Sequence, residues 1–235
     1  MIPFSLSILG TPGRAQPING VEGLGQLRID EVVFPGSHNA GAGFRSVLYT
    51  WSDTAVSSGF YRNQMLNFNG QLDSGARYFD IDTMWVKPGS ATGDWWQPNG
   101  IWTGHGSAYA GPIDTVLQEV KDWMNRPANR NEVVILHFNN NIRKDGFSQD
   151  DTTQMANDLN RLLERNFPTN SGYVRLNTKS NNQWPTMAEA VSDNKRLFVF
   201  VNSRLYNATN SNSFLRRHTF KESASNVLNA YSGEG

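Results

Sequence analysis

Residues 133–136, Val133-Val134-Ile135-Leu136, are apolar without a break. A strand with one wet face alternates apolar and polar side chains, so an unbroken apolar run asks for cover on both faces. Residues 197–201, Leu-Phe-Val-Phe-Val, make the same demand. Central strands of a parallel sheet meet it, with helices as the cover. Helical stripes fall between the candidate strands. Residues 112–124 place Ile113, Val116, Leu117, Val120 and Met124 on one face, and Pro112 suits the first turn. Residues 150–167 do the same with Met155, Leu159, Leu162 and Leu163, and residues 187–191 read as a short helix.

Strands are expected at residues 32–35, 78–86, 101–103, 133–138, 173–176 and 197–201. Helical stretches are expected within 44–72, broken at Ser57-Ser58-Gly59, and a Pro/Gly-rich loop at 87–100. Alternating strands and helices argue for an α/β fold with a parallel sheet. Polar residues close several strands at their C-terminal ends, as in a (β/α) TIM-type barrel whose site lies at that face. A doubly wound sheet lacks support, because no Gly-rich phosphate fingerprint follows the first strand. Six parallel strands are expected, and residues 205–235 show no obvious strand. The barrel is therefore expected to be irregular or incomplete, truncated at its C-terminal side. It would span residues 29–235, after an irregular N-terminal segment at 1–28.

Length and charge narrow the function. The 235 residues suffice for one sizeable core. Lysine plus arginine equals aspartate plus glutamate at 21 each, which leaves no basic footprint for nucleic acid. There is no apolar run long enough to span a membrane. Cysteine is absent, excluding disulfides and thiolate metal sites. Residues 1–10 lack the basic start of a signal peptide.

The chemistry-bearing residues sit at predicted strand ends. His38 and Asn39 follow the Pro35-Gly36 turn, and His105 lies in Gly104-His105-Gly106. Asp80 and Asp82 are two apart on a strand and share a face. Two histidines can serve as acid and base together near neutral pH. Two close carboxylates need a positive counterpart, either a cation or basic side chains such as Arg77.

These motifs resemble the X-region of phosphatidylinositol-specific phospholipase C and the related phospholipase-C-like phosphodiesterases. The likeness rests on Pro35-Gly36-Ser37-His38-Asn39, on Gln71-Leu72 with Gly75, Arg77 and Asp80, and on His105-Gly106. It continues into the apolar strand after Glu132, over roughly residues 30–205. It implies a (β/α) barrel, often irregular, that cleaves a phosphodiester of a phosphoinositide or related phospholipid headgroup. His38 would be the base and His105 the acid. The substrate's own inositol 2-hydroxyl would attack, giving a cyclic phosphate first.

By the same resemblance Asn39, Asp80, Asp82 and Asn139 are the calcium-binding positions. Aspartate at 82 stands where the metal-free bacterial branch has arginine. Asn139 stands where the calcium-dependent branch has glutamate and the metal-free branch lysine. The bacterial enzymes also carry an aspartate on the final strands that orients the first histidine, and this sequence shows no counterpart. The resemblance points to a secreted or membrane-surface setting. However, Ile18 and Gly25 stand in the region where that branch carries paired cysteines.

Other readings stay open. Either histidine could simply bond backbone in a tight turn. His137 reads as core or as support for the site, His218 as surface. Arg77 reads as an ion-pair partner. Lys195 and Arg204, with Arg196, flank the last clear strand and are candidate phosphate contacts. Trp85, Trp95, Trp96 and Trp102 cluster within 18 residues and would cover the core or touch a bilayer peripherally. Rivals to the favoured function are a phosphodiesterase of glycerophosphodiesters or sphingolipids, and an inactive barrel that binds phospholipid or inositol phosphate.

Overall fold

The computed structural model describes residues 16–42, 47–50, 55–57, 62–86, 100–105, 108–140, 149–178 and 183–222. Among these, nine strands form one sheet that does not close on itself. They are β1 (Gly36–Ser37), β2 (Val47–Thr50), β3 (Ala55–Ser57), β4 (Tyr78–Val86), β5 (Gly100–His105), β6 (Ala108–Pro112), β7 (Val134–Asn140), β8 (Leu197–Val201) and β9 (Phe220–Lys221). Six helices accompany them: α1 (Phe68–Asp73), α2 (Ile113–Met124), α3 (Gln149–Asn166), α4 (Met187–Ser192), α5 (Ser203–Ala208) and α6 (Phe214–His218).

Five strands are parallel: β1 and β7 flank β4, and β8 and β9 follow β7 in turn. This is the incomplete (β/α) barrel. The other four strands are antiparallel, which corrects the all-parallel expectation. The reason lies in strand length. β4 has nine residues and overhangs its parallel neighbours, and β5 folds back along that overhang, pairing Thr83 to Val86 with Thr103 to Gly100. β6 then pairs β5, β2 pairs β6, and β3 pairs β2.

The alternation along each parallel strand separates two cores. Phe79 and Ile81 on β4, Leu136 and Phe138 on β7, and Val199 and Val201 on β8 share the outer face. They pack with Val116, Leu117 and Val120 of α2 and with Met155, Leu159, Leu162 and Leu163 of α3. Each such side chain, fully buried, is worth about 1.5–3 kcal/mol of transfer free energy. The sequence stripes were therefore read correctly, with Trp123 added to the buried face of α2. Pro112 is the residue just before that helix, with φ −61° and ψ 139°.

On the inner face Ile135, Phe198, Phe200 and Phe220 form a second core with Ile18, Ile29 and Met187. Trp184 packs into it, its ring tilted against that of Phe220 at 4.7 Å between centroids. Residues 16–28 contain no strand or α-helix, yet they belong to the packed body, since Asn19 exchanges two hydrogen bonds with Val133. The inner face is thus apolar at one end of the barrel and polar at the other.

Four local expectations differ from the structure. Residues 32–35 form no strand; the Pro35 carbonyl accepts from the Arg77 and Tyr78 N–H groups, and the strand pairing begins at Gly36 beside Tyr78. Within 44–72 the described helix is α1 alone, and residues 47–50 and 55–57 are strands. Short runs of this kind carry no period by which to tell them apart. Residues 173–176 contribute one isolated bridge, Leu176 to Leu197. The region after 205 does hold a strand, β9, whose two residues are too few to show alternation.

Candidate active site

β1 ends at Ser37, and the chain turns through His38 and Asn39 toward β5. Asn39 has φ 47°, a left-handed conformation that asparagine tolerates better than most residues. The next turn is pressed against β5 at Gly41, where an added Cβ would fall 2.4 Å from the Thr103 side chain. Thr103 Oγ1 donates to the Gly41 carbonyl at 3.0 Å. From the other side, buried Gln71 of α1 contacts Ser37 Oγ through its carbonyl oxygen at 2.6 Å. Its amide nitrogen donates to the Ala40 and Leu66 carbonyls at 2.9 and 2.8 Å. The Ala40 N–H reaches the Asp80 carbonyl at 2.8 Å. Backbone and side-chain bonds therefore fix the first histidine in space.

The polar end of the inner face gathers most of the expected residues. His38 Nδ1 lies 2.9 Å from Asp80 Oδ2. The Asn39 amide nitrogen lies 3.1 Å from His38 Nε2 and 2.8 Å from His105 Nδ1. An amide nitrogen only donates, so both ring nitrogens accept. That assigns His38 as the Nδ1–H tautomer, donating to Asp80 and keeping a lone pair on Nε2. His105 then carries its proton on Nε2. Asp82 Oδ2 stands 3.6 Å from His105 Nδ1. Turning the Asn39 amide over would offer its oxygen to that ring.

The carboxylates are almost wholly buried, whereas the His38 and His105 side chains are 45% and 34% exposed. A reactant can therefore reach the rings without reaching their partners. β5 has returned His105 to the level of Asp82, which an all-parallel barrel achieves by a different path.

Asn139 sits on β7 in register with Asp82, and its carbonyl accepts from Thr83 Oγ1 at 2.6 Å. His137 is on the same face, in register with Asp80, and is 1% exposed. Tyr78 OH contacts its Nδ1 at 2.9 Å. Burial and the Asp80 charge push the Tyr78 phenol well above its usual range, so it stays protonated and donates.

Glu222, directly after β9, closes the group from the far side. It lies 3.4 Å from His137 Nε2 and accepts from Asn202 Nδ2 at 3.1 Å. Contact with His137 holds its carboxyl below the usual range. Sequence reasoning missed Tyr78 and Glu222. The phenol was legible only as a strand residue, and the carboxylate follows a strand too short to recognise.

The basic residues divide. Lys195 precedes β8, at the apolar end of the barrel and opposite the histidines, so the structure does not bring it to this site. Its neighbour Arg196 is buried, with its guanidinium donating to the carbonyls of Met124, Asn129 and Glu132 at 2.9–3.0 Å. Burial pushes it down to about 10. Arg204 follows β8 in the first turn of α5, at the same end as the histidines, and is exposed. Arg77 pairs with Glu132 at 2.8 Å and lies over the Trp123 ring, a structural role as expected. His218 is half-buried on the Phe214 ring, not fully solvated, and burial pushes it below its usual range. Trp102 is buried and Trp85 packs on the outer core, whereas Trp95 and Trp96 lie outside the described residues.

Whether the oxygen donors suit calcium was tested on their contacts. Asp80 Oδ1 is buried with no hydrogen-bond partner, the kind of atom a cation would satisfy. Against this, Asp80 Oδ2 and Asp82 already face histidines, and Asn39 presents nitrogen to them. Among the described residues no three His, Cys, Asp or Glu side chains converge as a metal-binding group. As arranged, the carboxylates face histidines, with Asp80 Oδ1 left unbonded.

An open α/β barrel with two histidines beside two buried carboxylates at the C-terminal strand ends defines the class of protein. The family model described as PI-PLC X 1 matches residues 46–230, and the chain belongs to that family. The match starts after His38 and Asn39, whose placement rests on the contacts above. The variant-surface-glycoprotein phospholipase C of Trypanosoma brucei brucei is 33% identical over 147 residues, covering 62% of this chain and 35% of that protein. The chain thus matches about a third of that curated relative's length. A solved point mutant of the phosphatidylinositol-specific phospholipase C from Staphylococcus aureus aligns with 74% of this chain and 48% of its own, at 18% identity and a TM-score of 0.45. Among the described residues no helix is long and apolar enough to cross a membrane.

Proposed function

We propose that this chain is a phosphoric diester hydrolase of the phospholipase C type, acting on a phosphoinositide or related phospholipid headgroup. The observation that carries the reading is the Asn39 amide shared between His38 and His105. Two ring nitrogens bonded to one atom are at most about 6 Å apart. One phosphodiester can therefore touch both. His38 Nε2 is unprotonated and takes the proton of the attacking hydroxyl. His105 acts as the acid in its doubly protonated form, with Nδ1–H toward Asp82 and Nε2–H given to the leaving alkoxide, and it ends neutral. Asp80 stabilises the His38 ring as it gains positive charge, and Asp82 the positive His105 ring before it gives its proton up. Exposed Arg204 is the nearest of the two expected basic contacts to this end of the barrel. Membership of the family and the phospholipase C activity named for the trypanosome relative support the reaction class.

Calcium assistance is a second reading, favoured by the unpartnered Asp80 Oδ1 and by Asp82 and Asn139 in register beside it. Such a site would be open, with substrate phosphate or water completing it. A panel of phosphoinositides, glycerophosphodiesters and sphingolipids, each assayed with calcium and with a chelator, tests the proposal. Cleavage of a phosphoinositide, lost by about 10²–10⁴-fold in both His38→Ala and His105→Ala, is expected. Full turnover in either variant would eliminate the assignment. A folded wild type that binds but cleaves none of the panel would make this an inactive binding barrel.

A further inference from the structure

Glu222 and His137 take no part in the mechanism just given, yet they stand behind its base. Among the described residues five buried side-chain polar atoms lack a hydrogen bond, and two of them, Asp80 Oδ1 and His137 Nε2, belong to this one cluster. Their spacing is informative. Asp80 Oδ1 is 3.7 Å from His137 Nδ1, close enough to compete for a proton there. That nitrogen instead meets the Tyr78 hydroxyl at 2.9 Å. His137 Nε2 faces Glu222 Oε1 at 3.4 Å, and the second Glu222 oxygen is tied to Asn202. The line Glu222, His137, Asp80, His38 thus runs from β9 through β7 and β4 to the turn after β1.

We infer that Glu222, acting through His137, is a positioning residue for the base, because it fixes the His137 tautomer and so leaves Asp80 with His38 as its one proton donor. The physical argument follows from donor counting. An anionic Glu222 draws the His137 proton to Nε2. Nδ1 is then a lone pair and accepts from Tyr78 O–H. No donor is left to face Asp80 Oδ1, so the charge of Asp80 is spent on the His38 Nδ1–H bond. That bond holds the His38 lone pair on Nε2, where the substrate hydroxyl must deliver its proton. Without the Glu222 charge, the His137 proton can move to Nδ1 and bond Asp80 Oδ1. A carboxylate with two donors is a weaker partner for either, and His38 loses part of its orientation.

The inference rests on the proposed reaction for its kinetic consequence, but its structural content is measured separately. The chain has four histidines, so nitrogen-15 spectra of the imidazole rings can be assigned one by one. In wild type, His137 is expected as Nε2–H and His38 as Nδ1–H. In Glu222→Gln the His137 resonances should shift toward the Nδ1–H form and those of His38 should report a mixed tautomer. Glu222→Asp, which keeps the charge, should restore most of both.

On phosphatidylinositol micelles, Glu222→Gln should lower kcat about 10- to 100-fold, the usual cost of losing a carboxylate that supports a functional histidine. KM should be unchanged, because Glu222 touches no substrate. Ring spectra of His137 and His38 that are identical in wild type, Glu222→Gln and Glu222→Ala would overturn the inference whatever the activity. So would an active wild type whose kcat survives Glu222→Gln. A wild type without activity sinks the reaction proposal alone, since the spectra still decide this one.

Discussion

Replacing Asp80 by asparagine removes one charge and almost no volume, so it isolates what the carboxylate does for His38. The bond it breaks is 2.9 Å long, from His38 Nδ1 to an oxygen of a residue that is 4% exposed. A hydrogen bond to a charged group of this kind is worth about 1.5–3 kcal/mol. At about 1.4 kcal/mol per factor of ten in rate, losing it costs about 10- to 100-fold if the bond is fully expressed in the transition state. A second loss adds to the first. If the new amide nitrogen faces His38 Nδ1, the ring must accept there and carry its proton on Nε2, and the base disappears. The tautomer penalty brings the expected fall in kcat to about 10²–10⁴-fold.

The assay is headgroup release from phosphatidylinositol micelles at saturating substrate, with the melting temperature taken in parallel. The fold should persist, because Asp80 lies outside both apolar cores. An active wild type whose Asp80→Asn variant stays within threefold in kcat would refute the reasoning. It would mean that the base acts without the partner the structure gives it.

Three further outcomes are expected. Arg77 and Glu132 are 11% and 15% exposed in their side chains, and Arg77 keeps its bonds to the Leu72 and Ala76 carbonyls, so Glu132→Ala should destabilise the protein by about 1.5–3 kcal/mol, the worth of a hydrogen bond to a charged group. Urea unfolding measures it, and unchanged activity per folded molecule would confirm that Arg77 is structural. The Glu222 carboxyl is held below its usual range, so the stability it lends is complete above the ordinary carboxylate pKa and fades as pH falls through the lowered folded value. The melting-temperature gap between wild type and Glu222→Gln should therefore be widest near pH 6 to 7 and close in strong acid. If calcium assists, Asn139→Glu should tighten it by adding ligand charge, read by calorimetry with substrate present. Activity indifferent to a chelator, with Asp82→Asn also normal, would end the calcium reading.

The sequence by itself determined the covered parallel strands and the helices that cover them. Val133 to Leu136 and the stripe from Ile113 to Met124 are statements about period and burial, and no partner can change a period. It also singled out the polar residues that the fold gathers at one end, since His38, Asn39, Asp80, Asp82 and His105 are chemical types placed next to turns. It did not determine the direction of β5, because antiparallel and parallel strands bury the same side chains and differ only in where the chain comes back. Nor did it reveal β2, β3 and β9, which are too short to show a period.

Pairing inside the site was likewise decided in three dimensions. The carboxylate beside His38 is that of Asp80, from the neighbouring strand and 42 positions along the chain. Asn39 and the two aspartates look like metal ligands when counted along the sequence. The fold also sets them beside histidines, because hydrogen bonds depend on distance and direction, and sequence spacing fixes neither across strands. Glu222 reaches His137 only because the parallel strands lie side by side, an adjacency that exists in no stretch of the chain.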